Sequence, residues 1–214
     1  MGVFCYTAIM SNKIAQKYNS IYSKFDNTYG DEPSVDLIHT LEYISSGTAL
    51  ELGAGEGRNS FYLAQKGFIV QAVDVSEVGL NKLHNTLTEH QLTAEVIMSD
   101  ITQFPLKQNY DVILSTFVLF HLSTSQAIQL IGNIKSHTNN NGVHLISTFT
   151  RDSDFYKVFN DGNNFYPETE ELKEFYKDWE ILEYREKRVK TRNKNPDGTP
   201  MLNTAATIIA RKIS

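Results

Sequence analysis

Hydrophobic residues between positions 48 and 149 switch repeatedly between two periods. Short apolar runs at Ala49–Leu52, Ile69–Val73, Ala94–Met98, Tyr110–Ser115 and Val143–Phe149 have the length and composition of buried strands. The stretch Asp111-Val112-Ile113-Leu114 is nearly continuous in apolar side chains after its aspartate, as a strand covered on both faces should be. Between the runs, apolar residues recur at helical spacing over Arg58–Lys66, Val78–Glu89 and Thr124–Lys135. Gly67 stands where a left-handed residue closes the first of these helices. Such alternation predicts an α/β fold: a mainly parallel sheet with helices on both faces and right-handed connections.

The flanks read differently. Asn12–Phe25 predicts a helix carrying Ile14, Tyr18, Ile21, Tyr22 and Phe25 at roughly helical spacing. A loop at Tyr29–Ser34 leads to a second helix, Ser34–Ile44, with Val35, Ile38 and Leu41 on one face. Met1–Ile9 reads as a poorly structured extension. After the core, Phe155–Pro167 reads as an irregular loop and Glu168–Tyr176 as a helix. The extended runs Trp179–Lys190 and Met201–Ile213 are joined by the turn Asn195–Pro200, so the sheet is expected to end in an antiparallel hairpin. One structural domain is expected, with residues 1–46 an N-terminal extension and helices covering a pocket, and 47–214 the part that binds the ligand.

Composition narrows the partners. A length of 214 residues suits one large core, and a net charge of -5 argues against nucleic acid as the main partner. Cys5 is the sole cysteine, which leaves no intrachain disulfide and fits a reducing, cytoplasmic compartment. No apolar run approaches the roughly 18 residues of a membrane span, and the first ten residues lack a basic start, so neither a membrane nor a signal peptide is expected. The histidines at 39, 84, 90, 137 and 144 show no metal-ligand spacing, so no metal is expected.

The chemistry concentrates at Glu51-Leu52-Gly53-Ala54-Gly55-Glu56-Gly57. Three glycines at alternate positions after a strand make a turn that lets the backbone come close to a ligand. The dinucleotide fingerprint needs a third glycine where Arg58 stands. Glu51 is unwelcome beside a pyrophosphate and welcome beside a cation. Asp74 ends the second strand, placed to accept hydrogen bonds from a ribose diol, and Asp100 ends the third, where its carboxylate could meet an adenine amino group or water. Together they describe a pocket for a cationic, ribose-bearing ligand without phosphate, which S-adenosylmethionine fits. The plainer alternative is that Asp74 and Asp100 cap turns.

These motifs resemble those of class I S-adenosylmethionine-dependent methyltransferases. A closer likeness, through Gly57–Ala64, Tyr110–Thr116, Leu172–Glu180 and Ala206–Lys212, is to the tellurite-resistance methyltransferase family. The resemblance implies a single Rossmann-like domain with a seven-stranded sheet in the order 3-2-1-4-5-7-6. It implies methyl transfer from S-adenosylmethionine, with S-adenosylhomocysteine as product, to small soft anions such as reduced tellurium or selenium species and to thiols. Carried over by position, Glu51, Gly53, Ala54, Gly55, Arg58 and Asn59 form the loop side of the cofactor site. Asp74 and Val75 meet the ribose and adenine, Asp100 and Ile101 flank the adenine, and Ser115 and Thr116 face the methionine part. Arg58 is expected to brace the glycine turn by pairing with a carboxylate. The family's His-Arg pair near the start of the hairpin is matched here by Arg192 without an obvious histidine.

The acceptor is a small molecule on this reading. Tyr18, Tyr29, Phe117 and Phe120 are the expected lining, and Arg192, in the alternating basic run Arg188–Lys194, would attract an anion. His121 is the candidate general base should the acceptor be a hydroxyl or amine; a thiolate or chalcogen anion needs none. A noncatalytic S-adenosylmethionine-binding module and a small-molecule O- or N-methyltransferase are the alternatives. Either a monomer or a homodimer is compatible with the sequence.

Overall fold

The computed structural model describes residues 2–160 and 162–213, the first ten of these by backbone alone. Its strands are β1 (Thr48–Leu52), β2 (Ile69–Asp74), β3 (Glu95–Met98), β4 (Tyr110–Thr116), β5 (Thr138–Phe149), β6 (Glu180–Lys194) and β7 (Pro200–Arg211). They form one sheet in the order β3-β2-β1-β4-β5-β7-β6, as the resemblance implied. The helices are α1 (Gly2–Tyr22), α2 (Val35–Thr40), α3 (Arg58–Gln65), α4 (Glu77–Glu89), α5 (Thr124–Ser136), α6 (Asp154–Phe159) and α7 (Glu171–Glu174). By packing, the chain divides into two compact units, Met1–Ile113 and Leu114–Ser214.

In the first unit β1 runs parallel to β2, and β2 parallel to β3. Leu50, Leu52, Leu63, Val73 and Leu83 are almost wholly buried and form its core. The strand–turn–helix order follows from local chemistry. Gly57 begins α3 at φ 83°, and a β-carbon there would lie 2.4 Å from the Leu83 side chain, so only glycine lets α4 pack this closely. Ser76 caps α4 by accepting from the Gly79 amide.

In the second unit β7 pairs antiparallel with both β5 and β6, leaving β6 at the sheet edge. The capping box Ser123/Gln126 starts α5. Its C-terminal end meets a buried polar relay. The Thr138 hydroxyl donates to the Ile134 carbonyl and therefore accepts from His144 Nε2 at 2.7 Å. His144 Nδ1 is left to accept from the Tyr176 hydroxyl at 2.9 Å. Burial holds the His144 pKa down to about 3, with Lys135 and Lys212 adding to the effect.

Several sequence expectations are corrected. Gly2–Ile9 belong to α1 and are not a poorly structured extension, while Met1 lies outside the described residues; α1 stops at Tyr22, before Phe25. In α2 the inward residues are Leu37 and Thr40, whereas Val35 and Ile38 are exposed, because the Ser34 cap fixes which side of this short helix turns inward. β5 begins at Thr138, ahead of the expected run Val143–Phe149, and Asn141 and Gly142 exchange backbone hydrogen bonds with Lys212. The first residues of Phe155–Pro167, expected as loop, are helical as part of α6: Asp154 accepts from the Leu202 amide and Asn203 from the Phe155 amide, which anchor its first turn. The predicted helix Glu168–Tyr176 shortens to α7.

Candidate functional site

Glu51 sits near the end of β1, only 2% exposed. Asn59 Nδ2 donates to one carboxylate oxygen at 2.9 Å and the Ser60 hydroxyl to the other at 2.5 Å. Both donors lie in the first turn of α3, so Glu51 holds the helix that follows the glycine turn. Burial raises its pKa to about 7, against the opposing pull of these hydrogen bonds and of Arg58. The Asn59 oxygen accepts from the Ser34 amide at 2.9 Å, so one amide joins the start of α2 to Glu51.

The glycine turn is fastened at its base. The Gly53 and Ala54 amides both donate to the Val73 carbonyl, at 2.7 and 3.0 Å. Asp74, at the end of β2, accepts from the Gly55 amide at 2.8 Å through one oxygen and from the Ser76 amide at 2.7 Å through the other. One carboxylate thereby ties the β1–α3 turn to the β2–α4 turn. Its pKa is raised by burial, with the backbone donors acting in opposition. Val75 beside it is half-buried. Asp100 is half-buried, and its Oδ1 accepts from the amide and hydroxyl of Thr102, so this carboxylate shapes the local turn. Ile101 is buried next to it.

For Arg58, expected to pair with a carboxylate at the glycine turn, the structure gives a different bond: its guanidinium donates to the Tyr29 carbonyl at 2.8 Å. Tyr18 and Tyr29 flank the buried Tyr22, at ring-centroid distances of 5.6 and 6.4 Å. Tyr29 itself is largely exposed. Sequence reasoning chose the two flanking rings and missed the central one. A β-carbon on Gly55 would stand 2.6 Å from the Tyr22 hydroxyl. On the side where a β-carbon would stand, this glycine is therefore met by the protein's own tyrosine. Glu56, Lys82 and Asn19 were missed too, because nothing local marks polar residues that act across the fold.

The second unit holds the remaining candidates. Ser115 is fully buried, and its hydroxyl has no hydrogen-bond partner; Thr116 is half-buried. Phe117 adopts φ 58°, a left-handed conformation that costs a bulky residue energy, while its amide donates to the Ser147 carbonyl at 2.8 Å. Phe120 is buried against Phe149, Tyr166 and Ala205, with Phe117 and Phe155 packed alongside. His121 ends a single 3-10 turn, Leu119–His121, with its ring 4.1 Å from that of Phe120. Arg192 is exposed on the edge strand β6, as are Arg188, Lys190 and Lys194. Among the described residues no His, Cys, Asp and Glu cluster could hold a metal ion, and no helix is long and apolar enough to cross a membrane.

The strand order, the glycine turn between β1 and α3, and the acidic residue closing β2 define a Rossmann-like fold of the S-adenosylmethionine-dependent methyltransferase class. Within that class, the family model described as tellurite resistance protein TehB matches residues 14–208, and the chain belongs to this family. It is 34% identical over 183 residues to a Haemophilus influenzae protein named "Probable S-adenosyl-L-methionine-dependent methyltransferase TehB", covering 83% of this chain and 61% of that protein. The chain thus spans about three-fifths of the length of the curated relatives it matches first. The crystal structure of TehB from Haemophilus influenzae superposes with a TM-score of 0.76 at 32% identity, covering 92% of this chain and 67% of that one. The N-methyltransferase NodS from Bradyrhizobium japonicum, solved with S-adenosyl-L-homocysteine, shares the fold at a TM-score of 0.70 and 17% identity, covering 94% of this chain and 98% of that one.

Proposed function

We propose that this chain is an S-adenosylmethionine-dependent methyltransferase acting on a small soft anion: a thiolate, or a selenium or tellurium species. The observation that carries the cofactor is the Asp74 carboxylate joined to Gly55 and Ser76, with buried Glu51 behind it. The residues present fit the cofactor. Glycines at φ 82°, 58° and 83° keep the turn narrow, and the lone pairs of Asp74 that its two amides leave unused can accept from a ribose diol. When bound, S-adenosylmethionine supplies a methyl group on a sulfonium, which the acceptor's lone pair takes by direct displacement to leave S-adenosylhomocysteine.

The chain's own part is to hold and to exclude. Gly53, Ala54, Gly55 and Asp74 hold the donor, with Glu51, Arg58 and Asn59 fixing the turn. Val75, Asp100 and Ile101 flank the adenine, and Ser115 and Thr116 face the methionine part. Phe117 and Phe120 contribute apolar aromatic surface on the acceptor side, with Tyr18 and Tyr29 from the N-terminal segment, and Arg192 attracts an anion. An anionic acceptor needs no base, so His121 serves only a hydroxyl or amine acceptor. Positioning the reactants and excluding water then supply most of the acceleration.

The family description and the name of the Haemophilus influenzae relative support the choice of a soft anion. The test is release of S-adenosylhomocysteine in the presence of thiols, selenite, tellurite, phenols and amines. Turnover of thiols or chalcogen species is the expected result. Turnover confined to phenols or amines would move the reading to an O- or N-methyltransferase, and cofactor binding with no turnover would leave a noncatalytic binding module.

A further inference from the structure

The N-terminal helix is wired to both turns of the cofactor site. α1 has no basic residue in its last turn to offset the partial negative charge of its carbonyl end. Lys82 on α4 supplies that charge. Its ammonium donates to the carbonyls of Tyr22 at 2.7 Å and Asp26 at 3.0 Å, and to that of Phe25. It also pairs with Glu56 at 2.8 Å. Glu56 lies between the second and third glycines of the turn, and its other oxygen accepts from the Thr28 amide at 2.8 Å. A second connection runs through Asn19 of α1. Its side-chain oxygen accepts from the Ser76 hydroxyl at 2.7 Å and the Val78 amide at 3.2 Å, at the start of α4. Ser76 is also the residue whose amide Asp74 holds.

Between these connections stands Tyr22. It is 5% exposed. Its hydroxyl rests on Gly55, and its ring reaches within 3.1 Å of where a β-carbon on Gly79 would be. Burial first, and then the charge of Asp74, disfavours the phenolate, so the group keeps its proton and remains a hydrogen-bond donor.

We infer that α1 is a working wall of the cofactor site: Tyr22 is a cofactor-contacting donor standing on the glycine turn, and Lys82 is the positioning residue that holds it there. Docking of α1 and binding of the cofactor then form one linked equilibrium, because the same turns serve both. The inference rests on the reading that the chain binds S-adenosylmethionine.

Titration of S-adenosylhomocysteine into wild-type, Lys82→Met, Lys82→Arg and Tyr22→Phe proteins tests it, alongside hydrogen exchange over residues 12–22. The expected results are a weakening of at least fivefold with faster exchange for Lys82→Met, and recovery of most of both losses for Lys82→Arg. Tyr22→Phe should weaken binding at least threefold with exchange unchanged. In wild type the ligand should slow exchange over the same residues. Normal affinity in Lys82→Met despite faster exchange would overturn the linkage, and normal affinity in Tyr22→Phe would overturn the contact. Should Lys82→Met not fold, the ligand-induced slowing in wild type and the Tyr22→Phe affinity decide the matter. No binding by wild type would remove the methyltransferase reading itself and this inference with it.

Discussion

Replacing Glu51 by Gln should make the protein progressively more stable, relative to wild type, as pH rises. Glu51 is buried with both oxygens engaged, and burial lifts its pKa from 4.5 to about 7. Between those values the unfolded chain has released the Glu51 proton and the folded chain has kept it. Stability from this group is therefore complete below pH 4.5 and is lost as pH rises through 7. A difference of this size corresponds to about 3 kcal/mol. Gln preserves the contacts without the titration. The Asn59 oxygen is committed to Ser34, so Asn59 still presents an N–H, which the Gln oxygen can accept. The Gln amide then faces Ser60, whose hydroxyl can turn from donor to acceptor. Urea unfolding of both proteins at pH 5, 6, 7 and 8 isolates the effect, since every other titrating group is shared. The variant's stability relative to wild type should climb by about 3 kcal/mol from pH 4.5 to 8. A difference that stays constant with pH would refute the assignment of a proton to buried Glu51.

Asp74→Ala strands two buried backbone amides, at about 1–3 kcal/mol each; stability should fall by that combined amount and cofactor affinity should fall too, and unchanged urea unfolding would show that the two turns do not depend on this carboxylate. Gly55→Ala forces a left-handed alanine against the Tyr22 hydroxyl, so binding of S-adenosylhomocysteine should drop. The double variant with Tyr22→Phe should lose less stability than the two single losses together, because the nearest clashing atom is gone; strict additivity in calorimetry would remove the clash as the cause. His144 should remain neutral at pH 5, protonated at neither nitrogen beyond Nε2, as read from imidazole NMR shifts. The unfolded chain gains that proton near pH 6.5 and the folded chain only near 3, so this group costs about 5 kcal/mol of stability as pH falls between them.

The central strands and helices were legible because each carries its period within its own residues: β2, β4, α3 and α4 start and stop within a residue or two of their predicted ends. Expectations failed where partners distant in sequence decide the local structure. Asp154–Phe159 is helical because Leu202 and Asn203 anchor it, and no pattern within those residues records that. The acidic residues of the site were found by position, yet their engagement was not. Glu51 is held by Asn59 and Ser60, and Asp74 by two amides, relations that depend on how α3 and α4 are seated. Tyr22 was visible as one of five apolar positions in a helical pattern, but nothing in that pattern records its place beside Gly55 or the bond from Lys82, sixty residues away, to its carbonyl.

The double engagement of Asp74 has a consequence for redesign. In Rossmann-type folds the acidic residue at the end of the second strand meets the ribose, so it is the position to exchange for a ligand that differs there. In this protein the same carboxylate is the bolt between two loops. A replacement chosen only for the new ligand would unfasten Gly55 from Ser76 before any new contact formed. Retargeting must therefore begin by giving those two amides another acceptor, and only then alter the residue at position 74.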